Sequence, residues 1–288
     1  MGNFLALAAT LDPGDEVLIE DPTYELLVSP AHYLGAEVKR FHRRFENSFN
    51  IDVNEIQEAV TARTRLIVLT NLHNPTSALV DEGTLAAIGE IARHANARVL
   101  VGEIYLDAMF EEAPRSAFHL GPEFVVTNSL TKVYGLSGLR CGWILAEPKL
   151  AQRIWRLNDL MANIPPHAAE RLSCIALAHL DSIRERARNI LDTNHSVLST
   201  FLSQRDDLEA VYFPRGTVCF PRLRSGRVES LCALLREKYD TTVVPGEFFG
   251  MKDHIRIGLG CEIDVFAEGI CRLGLALDEL RDELGTGD

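Results

Sequence analysis

One lysine of this chain follows an apolar run and lies in a loop rich in glycine. Lys132 comes after residues 124–126, with Ser129 three positions before it and Arg140 eight positions after it. A lysine amine can form a Schiff base with an aldehyde, while a hydroxyl and a guanidinium can bind a phosphate group. Together the three residues predict a site for a phosphorylated aldehyde, although a single lysine of this kind is more often a solvated loop residue.

Other candidate site residues lie at the ends of apolar runs or inside one. Tyr24, Asn74 and Tyr105 each follow such a run, and Arg256 lies between two isoleucines. Because side chains alternate along a strand, Arg256 is expected on the face opposite those isoleucines. Ordinary structural roles are also open: a packed turn for Tyr24, a core tyrosine for Tyr105 and a solvated strand residue for Arg256.

Short β-branched runs alternate with amphipathic stretches over about the first 150 residues. This alternation predicts a mostly parallel sheet covered on both faces, with ligands at the carboxyl ends of the strands. The next fifty residues favour helices with a break at 163–166, and the remainder predicts a small α+β unit. The strand candidates are 16–20, 37–41, 66–69, 99–101, 124–126, 143–145, 211–213, 218–221, 242–244 and 255–257, and the helix candidates in the last part are 229–239 and 264–283.

Taken together, these segments resemble the class I and II aminotransferases, which are fold-type-I enzymes that use pyridoxal 5'-phosphate (PLP). Residues 127–143 resemble the family's cofactor-lysine loop, 71–77 its Asn-Pro-Thr-Gly segment, 99–105 its Asp-Glu-x-Tyr strand end, 21–24 its ring-stacking loop, and 254–258 its substrate-arginine strand. The resemblance runs in family order along essentially the whole chain. It implies a three-layer α/β/α large domain with a mostly parallel sheet, like that of aspartate aminotransferase, and a small C-terminal α+β domain. We expect residues 1–180 to form the large PLP-binding domain and residues 181–288 the helical connection and the small domain.

The resemblance also implies a role for each candidate residue. Lys132 would be the catalytic residue, holding the cofactor and moving a proton, while Ser129 and Arg140 would bind its phosphate. Tyr105 and Asn74 would contact its phenolic oxygen, and Asn74 would also face the substrate. Completing the site, Tyr24 would stack on the pyridine ring and Arg256 would bind the substrate carboxylate, since a guanidinium matches a carboxylate bidentately.

Two departures from the family pattern bear on activity. The aspartate that pairs with the pyridine nitrogen falls on Gly102, and the neighbouring Glu103 should point to the opposite face of the sheet. The family's Gly-Ala-Ser-like phosphate loop and N-terminal arm would precede the helix matching residues 3–11, so we expect a site without them. A separate difference, within the matched motif, is that the Asn-Pro-Thr segment ends in Ser77 instead of glycine.

The amino-acid composition indicates which classes of partner and which cellular compartment to expect. With 41 acidic and 29 basic residues in 288, the net charge of −12 argues against nucleic acids and anionic membranes. The six cysteines lack metal-ligand spacing, which predicts buried, reduced thiols and no metal site. A short apolar stretch at 4–11 without preceding basic residues is not typical of a signal peptide, so we expect a soluble cytoplasmic protein.

The function expected from the resemblance is transfer of an amino group between an α-amino acid and a 2-oxo acid, by a PLP-dependent homodimer. Other PLP chemistry on amino acids stays open, namely that of a β-lyase, a decarboxylase or a racemase. A third hypothesis is a catalytically weak binding protein with this fold, which Gly102 and the missing phosphate loop favour.

Overall fold

The computed structural model describes residues 1–162 and 164–285, and its centre is a six-stranded sheet. The strands are β1 (Glu16–Asp21), β2 (Glu37–His42), β3 (Thr64–Thr70), β4 (Arg98–Gly102), β5 (Phe124–Ser129) and β6 (Gly142–Leu145). Their order is β2-β1-β3-β4-β5-β6, and every neighbouring pair is parallel except β5 and β6. The central strands are continuous apolar runs because both faces of a parallel sheet are covered.

Helices cover both faces of this sheet. They are α1 (Gly2–Thr10), α2 (Glu25–Tyr33), α3 (Val53–Ala59), α4 (Glu82–His94) and α5 (Pro148–Met161). Apolar residues of α1, α2 and α5 pack on one face, while those of α3 and α4 pack on the other. Asp81 begins α4 as a side-chain cap, since its carboxylate accepts a hydrogen bond from the Thr84 amide. The predicted three-layer α/β/α arrangement is confirmed.

The last part of the chain combines helices with short antiparallel strands. Its elements are α6 (His167–Ala178), α7 (Leu180–Ser203), β7 (Leu208–Glu209), β8 (Val218–Cys219), β9 (Arg222–Leu223), α8 (Val228–Lys238), β10 (Val244–Pro245), β11 (Ile255–Gly258) and α9 (Ile263–Gly285). The strands pair in the order β10-β11-β8, and β7 pairs with β9. The predicted boundary after residue 180 falls at the start of α7, and the division into 1–180 and 181–288 stays a prediction.

Three expectations from the sequence need correction. Residues 211–213 are not a strand, because Tyr212 hydrogen-bonds His195 while its neighbours pack into an aromatic cluster around Phe49. The cysteines are not all buried: Cys174, Cys261 and Cys271 are exposed. The predicted strand 218–221 is shortened to its first two residues, and the predicted strand 242–244 is shifted, because only Val244 of that segment belongs to a strand, which continues to Pro245.

The break predicted at 163–166 separates α5 from α6, although Asn163 itself lies outside the described residues. Within residues 1–162 and 164–285, no helix combines the length and apolar character that crossing a bilayer requires.

Candidate active site

A cavity of about 210 Å³ lies where segments following β4 and β5 face β8 and β11. Three of the predicted site residues, Tyr105, Lys132 and Arg256, line it together. Tyr105 and Lys132 come from strand ends of the parallel sheet, whereas Arg256 comes from the C-terminal strand β11. The remaining lining residues are Val133, Gly135, Arg186, Ala187, Ile190, Leu191, Thr217, Val218 and Gly260.

Lys132 lies in the loop that leaves β5. Within the described part of the chain its amine has no hydrogen-bond or salt-bridge partner. Desolvation, followed by the positive charges of Arg256 and Arg140, lowers the pKa of Lys132. A lowered pKa increases the fraction of neutral amine, which is the nucleophilic form.

The loop after Lys132 turns through two residues with left-handed backbone angles. Gly135 has φ of 70° and Arg140 has φ of 52°. A Cβ on Gly135 would also lie 3.3 Å from Nη2 of Arg186, so this position combines an unusual backbone with a close neighbour.

Asn74 and Arg256 meet although they are far apart in the chain. Nη1 of Arg256 donates a 2.9 Å hydrogen bond to Oδ1 of Asn74. The guanidinium carbon also lies 4.9 Å from the ring centre of Phe249, and burial lowers the pKa of Arg256. Because Oδ1 of Asn74 is engaged, its Nδ2 amide hydrogens remain as donors.

Asn74 is held from behind by a buried network. The backbone N–H of Asn74 donates a hydrogen bond to Oγ1 of Thr70, and the Thr70 hydroxyl donates to Oε1 of Glu20 at 2.6 Å. The other oxygen of Glu20 accepts a 2.9 Å bond from Nη1 of Arg43, and both side chains of this ion pair are fully buried. Sequence reasoning missed Glu20 and Arg43, because nothing in their spacing indicates the pairing.

Tyr105 and Tyr24 lie on the sheet side of the site. Burial, opposed by the charge of Arg256, raises the pKa of Tyr105, so its hydroxyl stays a donor near neutral pH. Tyr24 is 45% exposed and immediately precedes α2. An exposed ring at this edge leaves one aromatic face available for stacking.

Ser129 and Arg140 flank Lys132 without contacting each other. Oγ of Ser129 accepts a 3.3 Å hydrogen bond from the amide of Thr131, and Nη1 of Arg140 donates to the carbonyl of Ser137 at 3.2 Å. Arg140 is exposed, and within the described residues its guanidinium has no carboxylate partner. The remaining donors of both side chains are therefore free for an oxyanion.

Gly102 ends β4, as expected, and Glu103 points away from it. Oε1 of Glu103 accepts a 2.7 Å hydrogen bond from the amide of Ala117, and burial raises the pKa of this carboxyl. A Cβ on Gly102 would lie 3.2 Å from Cγ2 of Thr70 and 3.9 Å from Oγ1 of Thr127. These contacts leave room for a side chain after a small shift of Thr70.

The sequence matches one known protein family over most of its length. The model of the family "Aminotransferase class I and II" matches residues 2–272. The chain belongs to the class I and II aminotransferases. Its similarity extends to a capreomycidine synthase of Streptomyces vinaceus, which is 29% identical over 286 residues, covering 98% of this chain and 72% of that protein. An arginine–pyruvate transaminase of Pseudomonas aeruginosa is 25% identical, covering 96% of this chain and 72% of that protein.

Solved structures of aminotransferases share the fold. A PLP-dependent aminotransferase of Streptococcus suis superposes with a TM-score of 0.91 and 27% identity, covering 96% of this chain and 74% of that one. Aspartate aminotransferase of Thermus thermophilus, determined with maleate, gives a TM-score of 0.87 at 22% identity, covering 95% of this chain and 73% of that one. The second likeness bears on the fold alone.

PLP, which the family implies, carries an aldehyde, a phosphate, a phenolic oxygen and a pyridine nitrogen. Lys132 suits the aldehyde, and the free donors of Ser129 and Arg140 suit the phosphate. Tyr105 and Asn74 offer donors to the phenolic oxygen. The residues of this aminotransferase therefore fit three of the four groups, and Gly102 leaves the pyridine nitrogen without its carboxylate.

Two cavity residues, Thr217 and Arg186, were not predicted from the sequence. The Thr217 hydroxyl is buried without a hydrogen-bond partner among the described residues, and it lines the cavity together with Arg186. A buried hydroxyl without a partner is unusual and indicates room for a ligand atom. No sequence signal points to either residue, because only the fold brings them to the site.

Proposed function

We propose that this chain is a PLP-dependent aminotransferase that moves an amino group between an α-amino acid and a 2-oxo acid, with Lys132 as the residue that holds the cofactor. The observation that carries the proposal is the shared cavity of Lys132, Tyr105 and Arg256, with Asn74 hydrogen-bonded to Arg256. Family membership supports the reaction class.

When bound, PLP withdraws electrons from an attached amino acid and so acidifies its Cα–H bond. The phosphate would be bound by Ser129 and Arg140, and Tyr24 would cover the ring. Tyr105 would donate its hydroxyl hydrogen, and Asn74 an Nδ2 hydrogen, to the phenolic oxygen. Both donors favour the anionic form of that oxygen.

Lys132 would act on the substrate through the same nitrogen that first holds the cofactor. With its amine free, the neutral Nζ of Lys132 would accept the proton from Cα of the substrate and hold it for return. Burial and the charges of Arg256 and Arg140 lower its pKa and keep this nitrogen unprotonated more often than that of a solvated lysine.

Arg256 would bind the α-carboxylate of the substrate. Its contact with Asn74 uses one nitrogen, so the other edge of the guanidinium can pair with a carboxylate through two hydrogen bonds. Burial of the guanidinium strengthens such a pair because solvent competes less for it.

Absorbance spectroscopy tests this proposal. Purified protein titrated with PLP should develop a band in the near-visible that borohydride reduction removes, and peptide mapping should then find the cofactor on Lys132. Lys149 and Lys252 are exposed and serve as internal comparisons in the same digest. Labelling that is equal on all three lysines, or no band at all, would reject the proposal.

A second candidate is a PLP reaction other than amino transfer, and Gly102 is the observation that favours decarboxylation among these reactions. A cofactor whose ring nitrogen lacks a carboxylate is a weaker electron sink, which slows removal of the Cα proton. Amino transfer, elimination and racemisation all need that step, whereas decarboxylation breaks the bond to the carboxylate. Incubation with a panel of amino acids separates the candidates. A keto acid with pyridoxamine phosphate indicates transfer, carbon dioxide with an amine indicates decarboxylation, and pyruvate with ammonia indicates elimination.

We also propose that the protein is a homodimer. Large apolar side chains are exposed along α5 and α6, including Trp155 (70%), Leu160 (80%) and Ile175 (55%). Large apolar side chains that are exposed together on neighbouring helices are typical of a protein–protein interface. Sedimentation should give twice the chain mass of 32.0 kDa, and Leu160→Glu should shift it toward the monomer. The cytoplasmic location stays a prediction.

A further inference from the structure

The position of the missing carboxylate is bordered by a neutral hydrogen-bonded pair. Gly102 lies between Thr70 of β3 and Thr127 of β5 in the sheet register. Oγ1 of Thr127 donates a 2.7 Å hydrogen bond to Oδ1 of Asn3, which lies in the first turn of α1. The Thr127 side chain is buried, and its hydroxyl lies 3.9 Å from where a Cβ of residue 102 would be.

No carboxylate from the neighbouring strand ends takes the place of the missing one. Glu20 is engaged by Arg43 and Thr70, and Glu103 by the amide of Ala117. Asp107 accepts a 3.4 Å hydrogen bond from Asn128. Within residues 1–162 and 164–285, the polar atoms within 4 Å of a Cβ on Gly102 are the carbonyl oxygen of Leu69 and the hydroxyl of Thr127, and Asn3 is bonded to that hydroxyl.

A neutral hydrogen-bonding pair and a carboxylate favour different protonation states of a pyridine nitrogen. A carboxylate stabilises the protonated ring through a charge-assisted hydrogen bond. The Thr127 hydroxyl gives its one hydrogen to Oδ1 of Asn3, so the hydrogens left for an unprotonated ring nitrogen are those on Nδ2 of Asn3. A flip of the Asn3 amide would reverse this bond and leave the Thr127 hydrogen for the ring nitrogen instead.

We infer that Thr127 and Asn3 replace the family's aspartate, and that they bind the pyridine nitrogen of PLP in its neutral form, directly or through one water molecule. This inference rests on the proposed function, because it needs PLP held at Lys132. Its chemical consequence is a weaker electron sink. The site then favours reactions that tolerate slow removal of the Cα proton.

The test uses the whole chain loaded with PLP labelled with 15N in the pyridine ring. The 15N chemical shift separates a protonated ring nitrogen from a neutral one without reference to turnover. In the wild type the signal should be that of a neutral nitrogen accepting a hydrogen bond. Gly102→Asp should move it to the protonated range and tighten PLP binding about tenfold, because a hydrogen bond to a charged group is stronger than a neutral one.

Variants of the pair sharpen the test. Thr127→Val keeps the shape but removes the hydroxyl, so the signal should move toward that of a free neutral pyridine, and PLP affinity should fall by roughly three- to tenfold. Thr127→Ser keeps the hydroxyl and should restore both readouts. If Thr127→Val does not fold, Asn3→Ala removes the partner amide from a half-buried position and should shift the signal in the same direction.

The outcomes distinguish this inference from the proposed function. PLP linked to Lys132 with a protonated ring nitrogen in the wild type would overturn the inference and leave the function standing. Identical chemical shifts and affinities for Thr127→Val and Thr127→Ser would overturn it in the same way. Failure of the wild type to bind PLP covalently would overturn both.

Discussion

The two sides of the site are built in different ways. One side, the buried wall, consists of Glu20, Arg43, Thr70, Asn74 and Arg256, which are joined by hydrogen bonds from a fully buried ion pair to the cavity. The other side, the loop wall, comprises residues 129–140, where Lys132, Ser137 and Arg140 are exposed and the Lys132 amine has no partner among the described residues. The buried wall is therefore organised by folding, whereas the loop wall offers donors that a ligand must complete.

This difference separates two kinds of mutational effect. Changes in the buried wall should reduce stability even without cofactor, because they leave buried charges or donors unpaired. Changes in the loop wall should leave the free protein stable and alter only what it binds. The largest effect that we expect from a substitution in either wall is complete loss of activity, and the smallest is a modest change in cofactor affinity.

Lys132→Ala should abolish the covalent cofactor and all turnover, because the loop wall contains no other lysine. The thermal midpoint of the free protein should not change, since the Lys132 amine has no partner among the described residues. Lys252→Ala, an exposed lysine far along the chain, is the control and should behave like the wild type. A borohydride-stable label on the Lys132→Ala protein would contradict the assignment.

Arg43→Met should destabilise the free protein by about 3–5 kcal/mol, because it leaves the carboxylate of Glu20 buried without its charged partner. Urea unfolding followed by circular dichroism measures this. The matched control is Arg44→Met, whose partner Glu55 forms a pair that is partly exposed (55% and 23%). Exposed pairs contribute about 0–1 kcal/mol, so equal losses in the two variants would refute the idea of a buried wall.

Arg256→Ala should weaken binding of carboxylate substrates by roughly 2–5 kcal/mol, since a bidentate charged pair is lost from a partly buried position. KM should rise while the absorbance of bound PLP stays the same. Arg256→Lys keeps the charge but loses the planar fork, and we expect an intermediate KM. Loss of PLP affinity with unchanged KM would reassign Arg256 to the cofactor.

The contrast between the walls also explains what the sequence could reveal. The strands of the central sheet are long apolar runs bounded by turn residues, so local pattern is sufficient to predict them. The loop wall can be predicted residue by residue because its members lie close together in the chain. The ion pair of Glu20 and Arg43 could not be predicted, because it depends on the parallel pairing of β1 with β2. Local sequence does not encode that pairing.

Strand positions in the C-terminal part likewise cannot be predicted from local sequence. Residues 211–213 carry a strand-like pattern, but Tyr212 bonds to His195 of α7 and the segment finds no strand partner. Two-residue strands such as β8 and β10 exist only because β11 lies between them. Pairing of this kind is a tertiary contact, so propensity alone does not locate it.

The smallest effect is expected at Arg140, where the loop wall offers donors to a phosphate. Arg140→Gln should weaken PLP binding about tenfold, because one charge-assisted contact to an exposed phosphate is lost. Affinity for pyridoxal, which lacks the phosphate, should not change. Arg224→Gln removes another exposed arginine, far from Arg140 in the chain, and should change neither affinity.

Arg140 also acts on Lys132 through its charge, which gives a second measurement. The positive charge of Arg140 lowers the pKa of Lys132, so its removal should raise that pKa again. Because only the neutral amine reacts, the rate at which PLP attaches should then reach its half-maximal value at a higher pH than in the wild type. If the affinity falls but the pH profile does not move, Arg140 contacts the phosphate without influencing the lysine. A shift of the profile with unchanged affinity would mean that the loop wall tunes Lys132 but binds the phosphate through other donors.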